Sequence, residues 1–566
     1  MATLKKSKTL FFVTSPRSPM KMIPEISILA NKLSGEKWDK QNQQKFIQYL
    51  AQDKNFKGTG SATYSDFSAR DRINRGPKAL GFIDLKPTIS LTAAGKNFLN
   101  NDLAGETLLR QLLKFQLPSP YHTESKPIKN IFFVKPYLEI FRLIHTLEYI
   151  TFDELMIFGL QLTNYNKFDN IVEKIKIFRE KRKTTTKSYN NFMREYQRDE
   201  LKKIFQEEIK TGHTRTRESQ DISIKKFIKT KANNMRDYTD ACFRYLQATG
   251  LVSISQKGKY LSIPSEKTAE VEFFLQRIDR NPTYISEESA YKAYLFDETL
   301  PQLYTDNREH LELAIQDLEG ENRISQEEIK VAPTIELKKR LQHAIAHRKE
   351  KIINNQIIQL KTQKHYADIE TTFRDIVNKD YYDNPLMLEW NIWRAMTMLN
   401  GGNIKANLKF DDNGQPIMTA PGNTADIVCD YGDFYLTVEV TMQSGQRQYE
   451  MEGEPVARHL ANIKKEYNKS SYCFFIAPKI NKSCIAHFYT LHIANISYYG
   501  GKSVIIPLEL DIFQKMLEKS TTANNTPSPQ QIKKFCDFSL QMAETASDEN
   551  QWYEAVKQKA LAWPAI

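Results

Sequence analysis

Asp426-Ile-Val-Cys-Asp-Tyr-Gly-Asp-Phe-Tyr-Leu-Thr-Val-Glu-Val-Thr441 places two β-rich runs on either side of Gly432-Asp433. A Gly-Asp pair in that position makes a two-residue hairpin turn, and the turn sets the register. Pairing outward joins Tyr431 with Phe434, Cys429 with Leu436 and Ile427 with Val438 on one face. Asp430 with Tyr435 and Val428 with Thr437 fall on the other. The same count sets Asp426 opposite Glu439. Facing side chains at such a rung have Cβ atoms roughly 4.5–5.5 Å apart, and like charges there repel. A divalent cation removes the conflict, because Mg2+ prefers one or two carboxylates together with water and phosphate oxygens. A solvated acidic rung at a sheet edge is the plain alternative.

Further acids gather around this hairpin in the sequence. A helix over Pro385–Leu399, with proline in its first turn, carries Leu386, Glu389, Trp390, Trp393 and Thr397 at helical spacing, so Glu389 lies in or beside an apolar stripe. Burying an unpaired carboxylate is costly, which makes Glu389 a candidate for metal or proton-transfer work. Past the second strand come Glu450, Glu452 and Glu454, then Pro455 read as a helix start, with Arg458 and His459 inside that helix. This reading puts Glu452 on a loop returning past the rung. It leaves Glu454 as an ordinary acid at a helix N-terminus and His459 open between packing and chemistry. Strands at Tyr472–Ala477 and Val504–Ile506 and helices at Gln530–Ala543 and Tyr553–Ala562 complete an α/β region with a mixed sheet.

The rest of the chain is basic and modular. With 566 residues, the length suits about two to four domains. Lys+Arg 80 against Asp+Glu 68 leaves a net charge of +12, which suits a polyanionic partner. Cys242, Cys429, Cys473, Cys484 and Cys536 are widely spaced without C-x-x-C pairs, so neither a zinc knuckle nor a disulfide framework is expected. No apolar leader and no membrane-length run are present in the sequence, and the expected location is cytoplasmic.

Residues 40–100 read as helix, helix and short ribbon: Gln44–Leu50, a second helix opened by Ser65, and Ile83–Leu91 before Thr92. This winged-helix outline would present Arg70, Arg72, Arg75 and Lys78 to a DNA groove. A second such outline joins a helix over Tyr238–Gly250 to a hairpin around Lys257-Gly258, with Arg236, Lys257 and Lys259 as candidate DNA contacts. Between them, Glu173–Lys187 holds seven Lys/Arg against two Glu and is followed by Arg215, Arg217, Lys225 and Lys226, a cluster suited to phosphates.

An acid on one strand, a second acid followed by an apolar and a polar residue on the next, and a preceding helix glutamate resemble the PD-(D/E)xK nuclease core. Here the tripeptide is Glu439-Val440-Thr441, so the usual lysine is absent. The longer run from Thr437 to His459 resembles the signature of the AlwI-type Type IIS restriction endonucleases and their nicking relatives, in which threonine likewise takes the lysine position. The resemblance extends more weakly over the whole chain. It implies a multidomain α/β protein with winged-helix-like DNA-recognition units, a connection and a mixed-sheet PD-(D/E)xK-like nuclease domain in that order; the pattern weakens from about Val271, with Asn281-Pro282 as a breaker, so the expected bounds are 1–115 and 116–270 for the two units, 271–305 for a linker and 306–566 for the nuclease domain. It also implies a catalytic set of Glu389, Asp426, Glu439 and Glu452, with His459 as a candidate fifth, and Mg2+ held by Asp426, Glu439 and Glu389. The implied partners are double-stranded DNA, a second copy or small subunit for cutting both strands, and a cognate DNA methyltransferase. The reading from another class is a non-catalytic winged-helix DNA-binding regulator.

Overall fold

The computed structural model describes Leu4 and residues 7–53, 66–122, 132–319, 332–362, 365–399, 402–419, 424–522 and 527–563. The chain divides into two compact units, one reaching Gln342 and the other starting at His343. This boundary falls within the helix Thr334–Lys361.

In the first unit the helices Met22–Lys32, Lys40–Gln52 and Asp66–Arg75 precede a two-strand ribbon, β1 (Ile83–Asp84) and β2 (Ser90–Leu91). Asp39 caps the second helix by accepting from the Asn42 N–H at 3.0 Å. The capping residue expected for the third, Ser65, lies outside the described residues. After the ribbon, the Thr92 hydroxyl accepts from the Gly95 N–H at 2.9 Å and donates to the Gly81 carbonyl at 2.7 Å, tying the next helix back to the ribbon.

The second outline is larger than its sequence pattern. It comprises the helix Pro136–Leu147, strand β3 (Tyr149–Thr151), the short helix Phe152–Ile157, the helix Ile224–Gln247 and strands β4 (Ser253–Ser255) and β5 (Tyr260–Ser262). β5 pairs antiparallel with both β3 and β4. The long helix begins at Ile224, well before the expected Tyr238, because Ser223 caps it and Phe227, Ile228 and Met235 extend its buried face. Basic residues hide that period in the sequence. The basic run 173–187 falls largely on the helix Phe168–Thr184, whose other face buries Ile171, Val172, Ile175 and Phe178.

Residues 271–305, expected as a linker, are instead built into the first unit. Val271, Phe274, Tyr291 and Leu295 are buried. Arg280 grips the fully buried Glu139 at 2.8 and 2.6 Å. Lys114, itself buried, donates to the carbonyls of Tyr294, Leu295 and Asp297 at 3.3, 3.0 and 2.6 Å. Those long-range polar contacts leave no hydrophobic period to read, which is why the segment resembled a connection.

The second unit is organised around a mixed five-stranded sheet in the order β12-β11-β10-β9-β6. Its strands are β6 (Asn403–Ala406), β9 (Ile427–Asp430), β10 (Phe434–Val440), β11 (Ser470–Ala477) and β12 (Ile505–Glu509); β7 (Lys409–Phe410) and β8 (Pro416–Met418) form a separate ribbon. β10, β11 and β12 run parallel, while β9 is antiparallel to β10 and β6. Parallel neighbours require crossovers, supplied by the helices Gln446–Tyr467 and Lys482–Ile493. Every residue of β10 is buried, as expected for a central strand. Among the described residues the five cysteines are buried and unbridged, and no helix is long and apolar enough to cross a membrane.

Burial lowers the Lys114 pKa from 10.5 to about 7. Between those values the unfolded lysine is protonated and the folded one neutral, so the unfolded state binds more protons and stability rises with pH. Denaturant unfolding of the parent and Lys114→Met at several pH values should show the parent gaining on the variant as pH climbs from about 7, by up to about 1.4 kcal/mol per unit. A pH-independent difference would mean that Lys114 keeps its proton.

Candidate active site

Gly432, with φ at +85°, takes the first central position of the β9–β10 turn, where glycine adopts that conformation without steric penalty. The Gly432 N–H donates to Asp430 Oδ1 at 2.9 Å, and the Tyr431 N–H to the Phe434 carbonyl at 3.1 Å. Outward from the turn, Asp430 faces Tyr435, Cys429 faces Leu436, Val428 faces Thr437 and Ile427 faces Val438. The paired register ends at Ile427–Val438, and Asp426 is the residue just before β9. Asp426 Oδ2 accepts the Val440 N–H at 2.9 Å, and its carbonyl accepts from Asn407 at 2.8 Å. The aspartate is thereby fixed at the end of the hairpin.

Glu439 is only 5 % exposed, and His459 Nδ1 lies 2.8 Å from its Oε1. On β11, burial pushes the Cys473 thiol well up, and the nearby negative charges of Glu439 and Asp426 push it further. The two carboxylates thus share one local field.

The helix bearing His459 differs from its sequence reading. It starts at Gln446 and runs through Pro455, so Glu452 stands on a helix rather than a loop. Proline lacks an N–H and ordinarily marks a start or break. Here Gln448, Gly453, Val456, Ala457, Leu460 and Ala461 form a buried face on both sides of Pro455, and tertiary packing carries the helix through it. Glu452 precedes His459 by seven residues, about two turns, and shares its face of the helix. Its charge raises the Cys484 thiol on the following helix after burial has already done so. Glu454 pairs with Arg458 at 2.9 Å on the outer side.

Glu389 lies on the helix Asn384–Leu399 and is 9 % exposed. Asp383 caps that helix, accepting the Leu386 N–H at 3.2 Å. Both this helix and the His459 helix pack on β10. The structure therefore pairs Glu439 with His459, sets Asp426 and Glu439 both near Cys473, and puts Glu389 and Glu452 on the two flanking helices. Among the described residues no three His, Cys, Asp or Glu side chains form a group able to hold a metal ion. Asp426, half-buried, and Glu439, buried, still offer the all-oxygen donor chemistry of a hard cation site. At the motif's lysine position, the Thr441 hydroxyl accepts from the Gln443 N–H at 3.1 Å, which turns the chain out of β10.

Sequence reasoning missed Gln448. It is fully buried; its Nε2 donates to the carbonyls of Gln443 and Lys479, both at 2.9 Å, and its Oε1 accepts the Asn481 N–H at 2.8 Å. One amide thus clamps the segment after β10 and the segment after β11 to the helix of Glu452 and His459. A buried glutamine in a polar run gives no periodic signal that would single it out.

The candidate DNA contacts separate by burial. Arg70 and Arg75 are exposed on the helix Asp66–Arg75, with Arg75 pairing to Asp71 at 2.6 Å. Arg72 is drawn to the buried Glu25 at 2.5 Å. Lys78 lies past the helix end with its ammonium 4.7 Å from the Tyr121 ring centre, and burial lowers its pKa. Arg236 and Lys257 are exposed, whereas Lys259 is half-buried with φ at +51° and accepts the Phe152 N–H at its carbonyl at 2.7 Å. Arg72 and Lys78 are thus engaged within the fold.

A family model described as AlwI restriction endonuclease matches residues 78–516. Among solved structures, the chain is similar to the small subunit, R.BspD6I2, of the heterodimeric restriction endonuclease R.BspD6I. Identity is 24 % over 36 % of this chain and 98 % of that one, with a TM-score of 0.29. It is also similar to the BpuJ1 endonuclease binding domain, solved in complex with pyrene- and phenanthrene-modified DNA. There identity is 13 % over 53 % of this chain and 100 % of that one, with a TM-score of 0.33. No curated protein matches.

Gln448→Leu keeps the side-chain bulk but deprives three backbone groups of their partner. Urea unfolding should show a loss of about 2 kcal/mol, with Gln448→Glu, which turns a buried carboxyl oxygen toward two carbonyl oxygens, losing at least as much. Equal stability of all three proteins would show that the clamp contributes nothing.

Proposed function

Because the chain belongs to the AlwI restriction endonuclease family, we propose that it is a Type IIS enzyme that reads a short asymmetric duplex site and cuts phosphodiester bonds a few base pairs outside it. The observation that supports this reading is the Asp426 carboxylate held by the Val440 N–H beside Glu439, with His459 against Glu439. Two neighbouring carboxylates repel, and a cleavage site gives that repulsion a use.

In this reading Asp426 and Glu439 hold Mg2+, with Glu389 completing or orienting the shell. When bound, the cation supplies Lewis acidity toward water and the phosphate. The protein does the positioning: the Val440 N–H fixes the Asp426 carboxylate, and His459 Nδ1 orients that of Glu439. Glu452 is the residue we assign to directing or deprotonating the attacking water.

The first unit is assigned to recognition. Two helix-and-ribbon assemblies, each closed by an antiparallel hairpin, support a pair of winged-helix-like readers, with exposed Arg70, Arg75, Arg236 and Lys257 as groove or phosphate contacts. One carboxylate site per chain cuts one strand. Cutting the other requires a second copy, a small subunit or rebinding, and a chain that recruits none of these nicks. A cytoplasmic location and a cognate methyltransferase belong to the same reading.

The test is a supercoiled plasmid incubated with Mg2+, with product ends sequenced. The parent should yield ends at a constant offset from one asymmetric word. Asp426→Asn and Glu439→Gln should each lower the rate by on the order of 10³-fold or more, with site-specific binding retained. Binding that falls in step with activity would make the acids structural and sink the assignment.

A further inference from the structure

Because β10, β11 and β12 are parallel, their starts lie at one end of the sheet and the Glu439 rung near the other. At the starting end is a cavity of about 480 Å³ lined by Lys464, Lys465, Lys469 and Lys502, with Asn468 and Tyr472 among its other walls. None of its nine lining residues is acidic.

The ammonium groups are oriented largely by neutral partners. Lys464 donates to the Lys502 carbonyl at 2.6 Å and to Ser503 Oγ at 3.4 Å. Lys465 donates to the Tyr498 carbonyl at 3.2 Å, and Lys469 to the Gly432 carbonyl in the hairpin turn at 2.7 Å. Carbonyls direct a cation without cancelling its charge. Lys502 does reach an acid, Glu544, at 2.6 Å, but that acid does not line the cavity. Burial pulls Lys464 down to about 8, so its positive charge is penalised where it stands.

A helix C-terminus attracts cations, and the helix Gln446–Tyr467 ends here, which accounts for Lys464 and Lys465. It does not account for Lys469 and Lys502, which arrive from the segments before β11 and β12. Two aromatic rings flank the lysines. Tyr467 is 41 % exposed and stacks on Tyr435 with centres 4.3 Å apart; Tyr498 is 60 % exposed with the Lys465 ammonium 5.8 Å from its centre. Lysines lining a groove that no acid lines match the chemistry of a nucleic-acid backbone, whose phosphates take the charge.

We propose that this cleft is a second, non-catalytic subsite of the C-terminal unit that binds the phosphate backbone of a nucleic-acid strand. It lies about five residues along β10 and β11 from the Glu439 rung, roughly 17 Å at the rise of a strand. That is on the order of five nucleotide steps of a duplex at about 3.4 Å each. The inference rests on the endonuclease reading and gives that reading an anchor for DNA beyond the scissile bond. A free phosphate or pyrophosphate shares the chemistry and is the competing source.

The experiment compares the full-length parent with Lys465→Gln/Lys502→Gln, both side chains being exposed, for binding to a short duplex of arbitrary sequence across a salt series. Each lysine that neutralises a phosphate adds roughly 0.9 to the slope of log K against log salt, so the double variant should lose roughly 1.8 with its melting temperature unchanged. Lys469→Gln, made separately, should lose roughly half as much. Inorganic pyrophosphate should displace duplex from the parent more readily than from the double variant. An unchanged slope in a folded double variant overturns the inference. Loss of pyrophosphate binding with the duplex slope intact assigns the cleft to free phosphate and overturns it equally. Normal plasmid cleavage with an unchanged slope removes this inference alone, whereas a parent that neither binds nor cuts duplex removes the endonuclease reading as well.

Discussion

The register of the β9–β10 hairpin is the constraint around which the C-terminal unit is arranged. A two-residue turn leaves the hairpin no freedom to slip, since a shift of one residue would invert every side chain of a central strand that is buried throughout. Asp426 and Glu439 are therefore fixed near the end of the hairpin: the Val440 N–H donates to the Asp426 carboxylate, and His459 Nδ1 lies within hydrogen-bond distance of Glu439. Charge-assisted bonds of this kind are the strong ones in a region sheltered from water.

Holding His459 in place requires the crossover helix to start close to the end of β10. Gln448 enforces this by joining that helix to the segments leaving β10 and β11. Pro455 interrupts the backbone bonding of the same helix, yet the helix continues because its buried face is unbroken. Glu452 and His459 consequently project from one rigid surface. The same helix ends among the lysines of the cleft at the opposite end of the sheet, so one element links the two places where negative charge would be received.

The N-terminal unit solves a different problem. Its helices and short ribbons bury little continuous sheet, and its distant segments are tied by polar side chains gripping backbone and acids: Lys114 on three carbonyls, Arg280 on Glu139, and Arg110 on Glu106 and Asp306. Breaking such a buried pair leaves an uncompensated charge, which is why these contacts constrain the fold more than exposed ion pairs do. Arg72 and Lys78 belong to the same economy of internal contacts, while Arg70, Arg75, Arg236 and Lys257 remain at the surface.

The amino-acid sequence by itself determined the β9–β10 hairpin, its register from Asp430–Tyr435 to Ile427–Val438, and the apolar setting of Glu389. Turn chemistry and two-residue alternation act between neighbours in the chain, and such local rules are written in local residues. It also carried the strands at 472–477 and 504–506, whose apolar runs need no partner to be recognised. Only the tertiary structure decided that Glu452 stands on a helix, that His459 meets Glu439, that Gln448 clamps two loops, and that residues 271–305 are packed rather than a linker. Each of these depends on a contact between residues far apart in sequence, or on packing strong enough to override proline's local preference, and neither leaves a periodic trace in the chain.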